Sequence, residues 1–269
     1  MMSNKIGVGV ITCNRLDFFK QCISSIEAVD ALVVVNDGAP YPEENYPTSV
    51  EHVIQHEKNM CVGISKNDAL RYLLNKGCEH IFLVEDDIEI IDNEVFRKYI
   101  KASEITGLKH LNYALHGPLN KDDLGFKKPR FVVNYDNDIS ISLNWSCPGA
   151  FSYYNKKVIE TVGFMDERFQ NYWEHLEHSY RMVLQGLLPG FRWWPDIEDS
   201  DKYIWDLDQD LSQSEIRKDK SEFKKKYSHS TEVFFDLHGT IPREIEQKPL
   251  GKILENLNKI KELYAITNG

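Results

Sequence analysis

Uninterrupted apolar runs alternate with helix-periodic segments through the first ninety residues, and no other feature of the chain restricts its fold as much. "IGVGVIT", "ALVVVNDG" and "IFLVEDD" have strand length, and "EHVIQHE" is a shorter strand. Between them, "RLDFFKQCISSIEAV" and "VGISKNDALRYLLNKG" carry apolar residues at helical spacing, the second closed by glycine. A strand that is apolar at every position has no face for water. It belongs in a largely parallel sheet with helices on both sides. In such sheets ligands bind beyond the carboxyl ends of the strands, which puts "NDGA" and "EDD" at one edge.

Further on the pattern changes. "FRKYIKASEITG" reads as a helix, and "RFVVNYDNDISISLNW" as a hairpin around an Asp-Asn-Asp turn. "NKKVIETVG" and "NYWEHLEHSYRMVLQG" are helices ending in Gly163 and Gly186, and "FRWWPDI" is a strand. The polar stretch 196–220 predicts a mobile loop or lid, and "PLGKILENLNKIKELYAI" a closing amphipathic helix.

Composition narrows the partners. The net charge of −10 opposes nucleic acid and anionic lipid, so an acidic ligand needs a local basic or metal site. No apolar stretch is long enough to span a membrane, and the first apolar run is too short for a signal peptide. Cys13, Cys22, Cys61, Cys78 and Cys147 are irregularly spaced with no CxxC pair, which fits reduced thiols in a cytoplasmic protein.

The strand end "VEDD" poses the chemical question, because Glu85, Asp86 and Asp87 are like charges at the end of a core strand. They are either solvated turn residues or ligands of a divalent cation that also holds a phosphate. In "NDGA", Asp37 is either a turn residue or an acceptor for the N–H of a base, with Gly38 giving the backbone room. Lys66 is either a surface lysine or a phosphate contact.

Several motifs in order resemble the GT-A glycosyltransferases, family 2 in particular. They are "VGVITCNR", "VVVNDGA", "NMCVGISKNDAL", "FLVEDDIE", "CPGAFSYYNKKVIETVGFMDERF" and "YWEHLEHSYR", and they cover roughly residues 5 to 195. The resemblance implies an α/β nucleotide-sugar-binding domain at 1–200, with a donor half at 1–92 and an acceptor half at 93–200. A loop and helical extension would follow at 201–269. It further implies a metal-dependent, inverting transfer from a nucleoside diphosphate sugar, with uridine as the base, to a glycan or other hydroxyl acceptor. Thr12, Asn14, Arg15, Asp37, Gly63, Lys66 and Asp86 would contact the donor. Asp87 would ligate Mn2+ or Mg2+, and Trp145, Gly149 and Trp173 would lie on the acceptor side. His238, in "DLHGTIP", is the expected further metal ligand, with Asp196, Glu198 and Asp199 as substitutes.

The family's general base is an aspartate after glutamate on the catalytic helix. Here Glu174 is followed by His175, so the base is either His175 or Glu174. Glu174, Glu177, His178 and Arg181 also fit a plain polar helix face with internal ion pairs. "HLEH" matches neither helical zinc-protease spacing. The altered base position motivates a second reading, a GT-A domain that binds a sugar nucleotide or glycan without turnover. A nucleotidyltransferase would carry a glycine-rich phosphate loop after the first strand, and "ITCNRLDFF" has none. The closing helix leaves a second copy or a membrane surface open as partner.

Overall fold

The apolar runs pair with one another as their composition predicts. A computed structural model describes residues 4–116, 118–136, 138–209 and 219–266. In it, β1 (Ile6–Thr12), β2 (Ala31–Asn36), β3 (His52–Gln55) and β4 (His80–Glu85) form a parallel array. Helices α1 (Leu16–Ser24) and α2 (Val62–Asn75) connect them. The six-stranded sheet runs β3-β2-β1-β4 and continues through two further strands, β9 (Phe151–Asn155) and then β6 (His110–Asn112). Both belong to the second half, and β9 is antiparallel to its two neighbours.

The second half adds α3 (Glu94–Thr106), α4 (Lys156–Val162) and α5 (Glu174–Leu184). The expected hairpin is present as β7 (Phe131–Asn134) and β8 (Ser140–Asn144), and β10 (Trp194–Ile197) joins it in a three-stranded sheet.

The expected lid is largely built structure. Residues 204–206 form a strand, β11 (Ile204–Asp206), antiparallel to β5 (Ile88–Ile90). Asp196 and Ser200 are fully buried, and the Asp196 carboxylate accepts hydrogen bonds from Tyr99 (2.5 Å), Ser200 (2.6 Å) and the Ala114 amide (2.9 Å). A carboxylate so engaged is a structural hub, and it corrects the expectation that Asp196 could serve as a metal ligand. Residues 210–218 of the expected lid lie outside the described residues.

Two helices follow. The first, α6 (Lys220–His238), opens with an Asp219 carboxylate that caps the Ser221 and Glu222 amides. In the second, α7 (Leu250–Tyr264), Ile253, Leu257 and Ile260 are buried in the same apolar core as the sheet. The boundary expected at residue 200 is therefore no structural seam. The apolar stripe of α7 faces α3 within its own chain, and no described helix is long and apolar enough to cross a membrane.

The joint between α3 and α7 depends on Gly107, the left-handed cap of α3 (φ 78°), where an added Cβ would lie 2.4 Å from the Ile260 carbonyl oxygen. Gly107→Ala is expected to lower stability by at least about 1–2 kcal/mol, since the left-handed conformation alone disfavours alanine by that order. Urea unfolding measures it, and an unchanged midpoint would mean that α7 does not dock there.

Candidate active site

Register explains why the strand-end motifs meet. Thr12 pairs with Asn36, and Ile11 pairs with Glu85, so the segments that follow β1, β2 and β4 leave the sheet at one edge. They open into a cleft of about 910 Å3. Its lining includes Thr12, Asn14, Arg15, Asp37, Glu85, Asp86 and Asp87, together with Trp145, Gly149, Trp173, Glu174 and His175. Seven described non-glycine residues hold positive φ, and Asn14, Asn171, Trp173 and Arg192 among them line this cleft. Strained backbone of this kind collects at ligand sites.

Asp86 and Asp87 are buried and both pair with Arg15, which excludes the solvated-turn reading for them. Asp86 accepts from the Thr12 hydroxyl at 2.7 Å and pairs with Arg15, whose other nitrogen lies 2.9 Å from Asp87. Burial, with the Asp87 charge beside it, pushes the Asp86 carboxyl up to about 7 against the pull of Arg15. Burial raises Asp87 as well, opposed by His116 and Arg15. The Arg15 guanidinium stays charged despite burial because both aspartates face it.

Glu85 is engaged differently. It lies 2.6 Å from the Lys66 ammonium, which also donates to the Gly149 carbonyl at 2.9 Å. Burial opposes ionisation of Glu85, but Lys66 outweighs it and holds the carboxyl down at about 2. Lys66 is buried and does not line the cleft. The expected phosphate contact at Lys66 is thereby corrected, because its donors serve Glu85 and Gly149.

Glu174 and His175 open α5. His175 Nδ1 lies 2.8 Å from Glu174 Oε1, and the His175 side chain is 24% exposed. Burial would raise the Glu174 carboxyl, yet His175 and Lys66 hold it below its usual value. An ionised Glu174 accepts from Nδ1–H, which fixes the tautomer and leaves Nε2 as the basic nitrogen. The two candidate residues form one dyad. Gly149 makes room for it, since a Cβ there would lie 3.0 Å from His175 Nδ1.

Other expected residues have altered settings. Gly63 lets α2 pack on α5, where a Cβ would meet that of Glu174 at 3.3 Å. The Asp37 carboxylate accepts from the Met60 and Cys61 amides (2.6 and 3.0 Å), and His56 Nδ1 lies 2.7 Å away. Little of its acceptor capacity remains for a base. Trp145 and Trp173 line the cleft, as does the largely buried Trp194, whereas Trp193 is a core residue. His238 is corrected outright. It is the last residue of α6, bonded to Glu177 at 3.1 Å and packed on Tyr180 and Phe234, away from the cleft lining. Glu177 and His178 are fully buried, so the polar stripe of α5 is an internal network rather than a solvated face.

Three site residues went unread in the sequence: His116, Asp206 and Asp208. The β5–β11 ribbon delivers the two aspartates, and the Leu207 amide donates to the Asp87 carbonyl at 2.8 Å. Asp208 lies 3.8 Å from Arg15, and His116 Nδ1 lies 3.3 Å from Asp206. Burial would lower His116, but Asp206, Asp87 and Glu85 raise it to about 9. The only local signals were the alternating acids of "WDLDQD" and a histidine before Gly-Pro.

Among the described residues no three His, Cys, Asp or Glu side chains form a ready-made metal cage. Asp87 Oδ1 is nonetheless buried without a hydrogen-bond partner. One open carboxylate oxygen in an acid-rich pocket fits a hard cation of the kind that takes one or two carboxylates and completes its shell with phosphate oxygens and water.

Neither a family model nor a curated protein sequence matches the chain. Its structure is similar to that of mannosyltransferase PcManGT from Pyrobaculum calidifontis, solved with GDP-Man and Mn2+. The TM-score is 0.55 at 11% identity, over 96% of this chain and 70% of that one. It is also similar to GalNAc-T7 solved with UDP, GalNAc and Mn2+, with a TM-score of 0.51 at 11% identity. That match covers 66% of this chain and 40% of GalNAc-T7. The chain has the fold of the GT-A glycosyltransferases.

Proposed function

We propose that the chain transfers a sugar from a nucleoside diphosphate to a hydroxyl acceptor, with inversion, in glycan or polysaccharide synthesis. One observation carries this reading: the strand-end acids and the Glu174–His175 dyad line the same cleft. His175 Nε2 takes the acceptor hydroxyl proton as that oxygen bonds to the anomeric carbon, and the bond from that carbon to the diphosphate oxygen breaks. Glu174 orients the imidazole and offsets its developing charge. Asp87 would hold Mn2+ or Mg2+, with His116 nearby and Asp208 across the Arg15 guanidinium, and such an ion would neutralise the leaving diphosphate. The binding-only alternative was motivated by the missing aspartate at position 175, and the dyad supplies a base there.

The neighbours hold guanosine and uridine nucleotides, so calorimetry with UDP and with GDP, each with and without Mn2+, tests the donor site. Binding of one nucleotide that needs Mn2+ and disappears in Asp87→Asn is the expected result. Failure of both nucleotides to bind the wild type under either condition sinks the proposal.

A further inference from the structure

The donor edge of the cleft is electrically closed, with Arg15, Lys66 and His116 set against the acids. The acceptor wall is not. Arg192, Arg243 and Lys226 also line the cleft, in a chain whose net charge is −10. Beside them the Arg130 guanidinium lies between the Trp145 and Trp193 rings, 3.6 and 3.5 Å from their centroids, and donates to the Arg192 carbonyl. Burial and the neighbouring Arg192 charge hold Arg130 below its ordinary value, with no carboxylate countering them.

Three lining carboxylates lie outside the donor edge and all are engaged, Glu174 with His175. Asp219 caps α6, and Glu222 lies 2.8 Å from Lys225. Arg243 has only a long contact of 3.9 Å with Glu244, and its side chain is 78% exposed. Among the described residues no carboxylate forms an ion pair with Arg130, Arg192 or Lys226. Arg192 also holds φ at 60°, a conformation that disfavours an ordinary side chain, so the backbone presents it there at a cost. Trp145, stacked on Arg130 and 42% exposed, offers a flat apolar surface beside these charges. Unpaired guanidinium groups next to an open indole ring match a sugar that carries an oxyanion.

We propose that the acceptor is an anionic glycan, in which a phosphate or carboxylate near the reacting hydroxyl is held by Arg192 with Arg243 and Lys226 while its sugar ring lies on Trp145. Arg130 acts as a positioning residue that fixes the Trp145 ring and the Arg192 backbone. The proposal rests on the transferase reading and adds the acceptor's charge to it. A long polyanion such as nucleic acid would meet the net negative surface around the cleft, whereas a compact oxyanion meets only this wall.

The test uses the full chain loaded with Mn2+ and whichever of UDP or GDP it binds. Binding of methyl glucoside, its 6-phosphate, methyl glucuronide and a short single-stranded DNA is followed by Trp fluorescence. The 6-phosphate or the glucuronide should bind about tenfold or more tightly than the neutral glycoside, the scale of one charge-assisted hydrogen bond. The tighter of the two identifies the oxyanion. That preference should fall toward unity in Arg192→Ala and weaken in Arg243→Gln, while nucleotide affinity and melting temperature stay at wild-type values. Equal binding of the three glycosides, or a charge preference that survives both substitutions, overturns the proposal. DNA binding tightest overturns it in favour of a nucleic acid acceptor. Absence of nucleotide binding defeats the transferase reading itself and is scored separately.

Discussion

Replacing His175 by alanine is expected to lower sugar transfer by about 10²-fold or more, the usual contribution of a positioned general base. Nucleotide binding should be unchanged, because no hydrogen bond links the dyad to Asp37, Asp86 or Asp87, and its partners are Glu174 and the Gly149 wall. Glu174→Gln keeps the size of the side chain and an acceptor oxygen for Nδ1–H but removes the charge, so its loss should be smaller. Release of nucleoside diphosphate from UDP-sugars and GDP-mannose, with and without acceptor, measures both variants. Full activity in His175→Ala together with loss in Glu174→Gln would reverse the assignment and make the carboxylate the base.

The second large effect is on stability. Lys66→Met should destabilise the fold by about 3 kcal/mol, the low end of the range for breaking a buried ion pair. The low end applies because Glu85 keeps 22% of its side chain exposed, against 2% for Lys66. The sign of the pH dependence follows from the depressed Glu85. Its contribution is fully present above the ordinary glutamate pKa of about 4.3 and is lost as pH falls toward about 2. In Lys66→Met that depression disappears, so the acid-dependent loss of stability that Glu85 contributes between these two pH values should disappear with it. The double variant Lys66→Met with Glu85→Leu should recover most of the loss, since an apolar pair of similar volume replaces a buried ion pair well. An unfolding free energy from urea titration of Lys66→Met within about 1 kcal/mol of wild type would show the pair to be energetically idle.

The parallel core was legible because its signals are local. Each of β1, β2 and β4 is apolar almost throughout, and polar residues stop it: Asn14 and Arg15 after β1, Asp37 and Gly38 after β2, Asp86 and Asp87 after β4. The edge on which "NDGA" and "EDD" meet follows from that alone. His175 and Glu174 were legible as alternatives, and only their 2.8 Å contact joins them. What stayed hidden depends on long-range pairing. Three residues of β11 on three of β5 carry Asp206 and Asp208 to Asp87, and so short a ribbon leaves no periodic trace. Helix α6 escaped for a related reason: only Ser230, Val233 and Phe234 are buried along it, too few for an apolar stripe. His238 looked like a loop ligand because Gly239 follows it, yet that glycine is a helix cap. Lys66 looked available because a lysine near a helix start is usually exposed, and its partner Glu85 sits on another strand.

The setting of Asp37 has a consequence for redesign. The carboxylate ties the end of β2 to the amides that lead into α2, with His56 bridging onward to Asp68 at 3.0 Å. A library that randomised this aspartate to alter nucleotide choice would lose members to misfolding before any change of preference could be read. The productive diversity lies outside this hinge, in exposed cleft residues such as Leu119. Selectivity there can drift through many substitutions while the hinge between strand and helix stays fixed.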